Sequence, residues 1–168
     1  MATNPKPRAP QALSSAARAE IDRWTAKFPP ERKRSALLAA LTYVQRDNGG
    51  WLTPELLEAV ADYLELPPVA AEEVAKFYSL YDLAPVGRHK LYVCNSISCW
   101  LCGSERIIEH LKQRLGIDVG ETTADGRITL KQAECLAACG GAPAMVIGGE
   151  YHENLTPEKI DALLARLK

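Results

Sequence analysis

Between residues 13 and 78 the apolar positions recur at intervals of three and four. They are Ala17, Ile21, Trp24 and Phe28, then Leu37, Leu41 and Val44, then Leu57, Val60 and Leu64, then Ala70, Val74 and Phe77. Each group lines one face of a 3.6-residue period, which predicts four amphipathic helices. The breaks between them are Pro29-Pro30, Gly49-Gly50 and Pro67-Pro68, and Thr53-Pro54 supplies an N-cap with a preset first turn. A small helical bundle is therefore expected over residues 13–84.

After Pro85 the period changes. Residues 89–94 alternate, with Leu91 and Val93 on one face, as in a half-buried strand. Ser104 is placed to cap a helix whose stripe is Ile107, Ile108, Leu111 and Leu115. Asp125-Gly126 predicts a turn before Ile128 and Leu130, and residues 144–147 read as another strand. Thr156-Pro157 starts a last helix that buries Ile160, Leu163, Leu164 and Leu167. The expectation is an α+β (α/β) chain, with the helical bundle ahead of a second unit over residues 85–168. Residues 1–12 hold three of the eleven prolines and little to bury, so a disordered arm is expected there.

Charge narrows the functional classes. Twenty Lys and Arg against 21 Asp and Glu give a net charge of −1, which offers no general attraction for nucleic acid or an anionic membrane. The longest nearly apolar run, residues 36–44, falls far short of the roughly 20 residues that cross a bilayer. The first residues lack the apolar stretch of a secretory signal, so a cytoplasmic protein without membrane insertion is expected. Arg32-Lys33-Arg34 reads as a solvated face.

Five cysteines in a reducing compartment point away from disulfides and toward metal or redox chemistry. Cys94 and Cys99 have four residues between them, Cys135 and Cys139 have three, and Cys102 follows Cys99. From residue 94 to 104 and from 135 to 149 there is no charged residue, although 24% of the chain is charged. A four-thiolate iron–sulfur centre is anionic and becomes more so on reduction, so neutral loops and close backbone N–H groups suit it. Gly103, Gly140 and Gly141 allow that close approach. Three other readings fit the same spacing. Zinc accepts pairs with two to four intervening residues. Cys99-Trp-Leu-Cys102 matches a dithiol oxidoreductase motif. Cys94, Cys99 and Cys102 match a plant-type ferredoxin run that would need one of Cys135 or Cys139. His89, His110 and His152 are scattered, with no catalytic acid, base or nucleophile evident. Trp100 reads as a packing aromatic, with a partner contact as the alternative.

The segments VCNSISCWLCGS, DGRITL, AECLAACGGAPAMVI and YHENLTPEKIDALL, preceded by GGWLTPE and VAKFYSLYDLAPVG, resemble the E subunits of respiratory complex I, the NADH:quinone oxidoreductase. The resemblance covers the chain from about residue 15 onward. It implies a helical bundle followed by a thioredoxin-like domain in which Cys94, Cys99, Cys135 and Cys139 bind one [2Fe-2S] cluster, with Cys102 outside the ligand set. It also implies one-electron exchange with the FMN of a partner subunit that binds NADH, and a place near the large iron–sulfur subunit. The setting it implies is the peripheral arm on the cytoplasmic side of a membrane-bound complex. The equivalent subunits of NAD-linked hydrogenases or formate dehydrogenases are similar. The chain itself has no GxGxxG and no GxxxxGK, so hydride chemistry belongs elsewhere. Pro143 occupies a place where thioredoxin-like folds often hold a cis proline.

Overall fold

The structure is a computed structural model and describes residues 13–167. The arm expected over residues 1–12 lies outside the described residues. Chain contacts divide the protein into two compact units, Met1–Pro85 and Val86–Lys168.

In the first unit the described helices are α1 (Ser15–Thr25), α2 (Leu37–Asp47), α3 (Pro54–Tyr63) and α4 (Pro68–Phe77), with a 3-10 segment, Pro30–Ala36, leading into α2. Their starts follow the expected chemistry. Ser14 accepts the Ala17 N–H at 3.0 Å, and Thr53 accepts the Leu56 N–H at 3.1 Å, with Pro54 at the first helical position. The apolar stripes meet in one core that includes Ala17, Ile21, Leu37, Leu41, Val44, Leu57, Val60 and Leu64. Buried Gln45 ties the segment after α4 to this core. It donates to the Leu80 carbonyl at 3.1 Å and accepts the Asp82 N–H at 2.7 Å. A buried amide is tolerated because both of its ends are engaged.

The second unit carries β1 (His89–Cys94), α5 (Ile97–Leu101), α6 (Ser104–Leu115), β2 (Ile128–Ala133), β3 (Met145–Ile147), β4 (Glu150–His152) and α7 (Pro157–Leu164). The sheet order is β2-β1-β3-β4. β1 and β2 are parallel, from His89 opposite Ile128 to Cys94 opposite Ala133, and α5 and α6 make the crossover that parallel strands need. β3 runs antiparallel to β1, and β4 antiparallel to β3. Gly148 and Gly149 form the turn between these last strands at φ 59° and 91°, values that side-chain-bearing residues seldom adopt.

Alternation in β1 places Leu91 and Val93 in the core with Ile107 and Leu111 of α6, Ile128 and Leu130 of β2, Met145 of β3 and Ile160 of α7. Leu111 is fully buried in this cluster, so Leu111→Ala leaves a cavity among side chains that are themselves held on the sheet and on α7. It is expected to cost about 2–5 kcal/mol, read as a lower urea midpoint with an unchanged slope.

Ser104 is the first residue of α6, not its cap. Gly103, at φ 91°, holds the N-cap position, because the chain turns sharply out of α5 there. His110 Nε2 and Arg114 Nε both meet Asp161 Oδ1 at 2.9 Å, which fastens α6 to α7. The His110 hydrogen bond, more than Arg114, holds the Asp161 carboxyl below its ordinary range. His110 thus has a packing role. Among the described residues no helix is long and apolar enough to cross a membrane.

Candidate metal centre

The sheet delivers the first thiol. Cys94 ends β1, its N–H donating to the Ala144 carbonyl at 3.0 Å, and Asn95 next to it donates to the Ala133 carbonyl at 3.0 Å. The chain then enters the five-residue helix α5, which carries Cys99 inward while Ile97, Trp100 and Leu101 face out. Cys94 and Cys99 are buried together with Ala144, and Leu136, Ala138 and Ala142 pack against them. Leu136 and Ala138 belong to the Cys135–Cys139 segment, so the two cysteine loops converge on one apolar seat.

The Cys99 thiol is pushed up to about 11, first by burial, then by a hydrogen bond with Cys94 and the nearness of Cys94 and Cys139. A backbone hydrogen bond at Ala144 acts in the opposite direction. Cys94, Cys99 and Cys139 therefore share one neighbourhood. A buried thiol like that of Cys99 ionises when a cation takes the proton's place, so occupancy by metal and proton release are coupled.

Cys135 and Cys139 are exposed. Ala137, between them, lies at φ 55°, a left-handed conformation that an alanine adopts at a cost of about 1–3 kcal/mol. It aims the Ala137 N–H at the Cys135 sulfur, 3.4 Å away. Cys139 begins a 3-10 turn, Cys139–Gly141, after which Ala142–Pro143 is a cis peptide bond leading into β3. Cys102 is exposed at the C-terminal end of α5, with its N–H on the Ser98 carbonyl at 3.1 Å.

Among the described residues no three His, Cys, Asp or Glu side chains converge as around a single ion. The donor chemistry nevertheless fits a [2Fe-2S] group: two buried thiols, two exposed ones, chargeless loops and an N–H already directed at sulfur. The Ser104 hydroxyl, buried without a partner at the start of α6, adds a further potential donor beside the first loop.

Two features escaped the sequence. α5 is too short to show a helical period. Glu153, fourteen residues beyond Cys139, lays its side chain over Gly141, a contact no local motif announces.

A family model described as thioredoxin-like [2Fe-2S] ferredoxin matches residues 21–168. The E subunit of the NADH-quinone oxidoreductase of Rickettsia bellii is 46% identical over 142 residues, 84% of this chain and 85% of that protein. The E 2 subunit of the NADH-quinone oxidoreductase of Rhizobium meliloti is 45% identical over 147 residues, 88% of this chain and 86% of that protein. A chain in the crystal structure of air-oxidized NAD+-reducing [NiFe]-hydrogenase superposes with a TM-score of 0.68 at 27% identity, over 78% of this chain. This chain spans 22% of that hydrogenase chain. With residues 21–168 matched and relatives aligned along most of their length, the chain belongs to the thioredoxin-like [2Fe-2S] ferredoxin family.

Proposed function

We propose that this protein is the [2Fe-2S] electron-transfer subunit of an NADH:quinone oxidoreductase, and that it exchanges one electron with the FMN of a partner subunit that binds NADH. Cys94, Cys99, Cys135 and Cys139 hold the cluster in this reading. The observation that carries it is the convergence of two chargeless cysteine loops on one apolar seat, with Cys94 and Cys99 sealed and Cys135 and Cys139 facing out. When bound, the cluster supplies a one-electron site. The protein's residues supply four thiolates, exclude water on the Cys94–Cys99 side and direct the Ala137 N–H at the Cys135 sulfur.

The outward side is also apolar. Ile97 is 67% exposed, Trp100 49% and Leu101 71%, all on the helix that carries Cys99. Large apolar groups clustered beside thiols suit a protein partner, and Trp100 is one of them rather than a core aromatic. In the complex this face meets the flavin subunit, with the large iron–sulfur subunit near by, in the peripheral arm on the cytoplasmic side.

The test is direct. The loaded chain, reduced with dithionite and freed of excess reductant, is mixed anaerobically with the oxidised flavin-bearing partner. Its EPR signal is expected to disappear as the flavin absorbance bleaches, and an undiminished signal overturns the reading.

A second reading, the equivalent subunit of an NAD-linked hydrogenase, is favoured by the similarity to the hydrogenase chain at a TM-score of 0.68. The higher identity to the two quinone-oxidoreductase relatives, along most of their length, weighs for the first. Copurification separates them, since a nickel-bearing partner belongs to the second alone.

Cys102 tests the ligand set from the other side. Cys102→Ser is expected to retain iron, sulfide, visible absorption and the EPR signal of the reduced protein, because Cys102 lies outside the proposed ligand set and outside the Cys94–Cys99–Ala144 cluster against which the second loop packs. Loss of the chromophore in that variant would favour the plant-type set.

A further inference from the structure

We infer that Glu153 lowers the reduction potential of the cluster, acting as a negative charge that lies over the Cys139 turn. The inference rests on the cluster reading and adds to it a residue that neither the cysteine spacing nor the neutral loops contain.

The two cysteine loops have no charged residue of their own between residues 94 and 104 or between 135 and 149. Glu134 stands next to Cys135 in the chain, and Glu153 brings a second carboxylate from farther along, with the Lys159 ammonium beside its carbonyl. A Cβ added to Gly141 would overlap the Glu153 carboxylate and come within 2.6 Å of its Cβ, so the whole Glu153 side chain occupies the space over the Gly141 backbone. Gly141 is buried beneath it.

Backbone hydrogen bonds bring Glu153 to this turn. The Asn154 N–H donates to the Gly141 carbonyl at 2.6 Å and the Leu155 N–H to the Pro143 carbonyl at 3.1 Å, so the chain after β4 runs alongside the chain after Cys139. Asn154 lies at φ 50°, the turn that swings Glu153 back over the loop. Lys159 directs its ammonium to the Glu153 carbonyl oxygen at 3.4 Å, and among the described residues the Glu153 carboxylate has no ion pair or side-chain hydrogen bond.

Gly141 is two residues from Cys139 in the same 3-10 turn, and two Cα steps span at most about 7 Å. The turn that Glu153 covers thus lies within one Debye length of Cys139, about 10 Å at 0.1 M salt. An arriving electron adds negative charge at the cluster, and a carboxylate lying over the same turn opposes it. Glu153 covers the turn and acts electrostatically on the electron, and Glu153→Gln separates the two effects, because it keeps the shape and removes the charge.

The experiment is an EPR-monitored redox titration of the full-length loaded chain, wild type and Glu153→Gln, at low salt and at 1 M salt. The expected result is a higher midpoint potential in the variant at low salt, with unchanged iron content, visible spectrum and EPR g-values. The difference should shrink at 1 M salt, where the Debye length falls to about 3 Å. Glu153→Ala, which removes charge and cover together, should show at least the same upward shift. Equal midpoints for wild type and Glu153→Gln at low salt overturn the inference. So does a shift that salt leaves intact and that comes with altered g-values, since that marks a change of loop structure. A wild-type chain that holds no iron and sulfide overturns the cluster reading and this inference with it, and shows itself before any titration.

Discussion

Cys139→Ser is expected to lose the chromophore, with iron and sulfide falling toward zero or leaving a spectrally altered remnant. Cys139 stands where the second cysteine loop meets the buried Cys94–Cys99 seat. Its nearness is one of the influences on the Cys99 thiol, and Ala138 just before it packs against that seat. A serine hydroxyl at this position is a poor thiolate substitute, since it stays protonated where a cysteine ionises and binds iron less well. Removing a supporting residue around a metal site typically costs about 10–100-fold in affinity, and removing a ligand costs more. The fold should survive, because the variant changes one atom on an exposed residue, and far-UV circular dichroism of the variant should match the wild type. A Cys139→Ser protein with the full wild-type spectrum would falsify the four-cysteine assignment.

A second large effect is expected at Gly87, far from the second cysteine loop in sequence, and it falls on stability. A Cβ there would come within 2.7 Å of the Ile128 carbonyl carbon, 2.8 Å of its nitrogen and 2.9 Å of the Arg127 carbonyl carbon. All three are backbone atoms at the start of β2, so no side chain can swing aside. The Gly87 N–H also donates to Thr129 Oγ1 at 2.6 Å in the buried interior, and separating the strands breaks that bond as well. Overpacking of this kind costs about 1–3 kcal/mol, and loss of a buried hydrogen bond adds about 1 kcal/mol. Gly87→Ala is therefore expected to lower the thermal midpoint by several degrees, seen by calorimetry, and to loosen the β1–β2 pairing that positions Cys94. A variant as stable as the wild type would show that the strand start moves freely.

Much of the fold is legible in the sequence because burial imposes a period. Leu91 and Val93 alternate into a one-sided core, and Ile107, Ile108 and Leu111 line a helix face, so their spacing carries the information. Where burial is not periodic, the signal thins. α5 has five residues and one inward side chain, Cys99, so nothing repeats. β4 is three residues long with an exposed Tyr151, and its signal is the Gly148-Gly149 pair rather than its own alternation. Ser104 has the residue type of a cap, yet Gly103 takes that position because a left-handed turn is needed to leave α5.

The candidate site shows the same division. Spacing alone leaves two sets of four cysteines open. The burial of Cys94 and Cys99, and the packing of Leu136 and Ala138 of the second loop against them, are three-dimensional facts that spacing cannot reveal. Likewise the neutral loops are visible in the sequence, but the charge that reaches them is not. Glu153 arrives through the segment after β4, where Asn154 takes a left-handed turn and two backbone hydrogen bonds join it to Gly141 and Pro143, pairings that no local pattern around the cysteines announces.

The central claim is that four cysteines of this chain hold a reducible two-iron centre. Its most direct test is iron and acid-labile sulfide analysis of the anaerobically purified chain, followed by EPR before and after dithionite. The account predicts about two irons and two sulfides per chain, an EPR-silent oxidised state and a signal from one unpaired electron on reduction. Zinc in place of iron, or a chain with no chromophore and no signal on reduction, would contradict it.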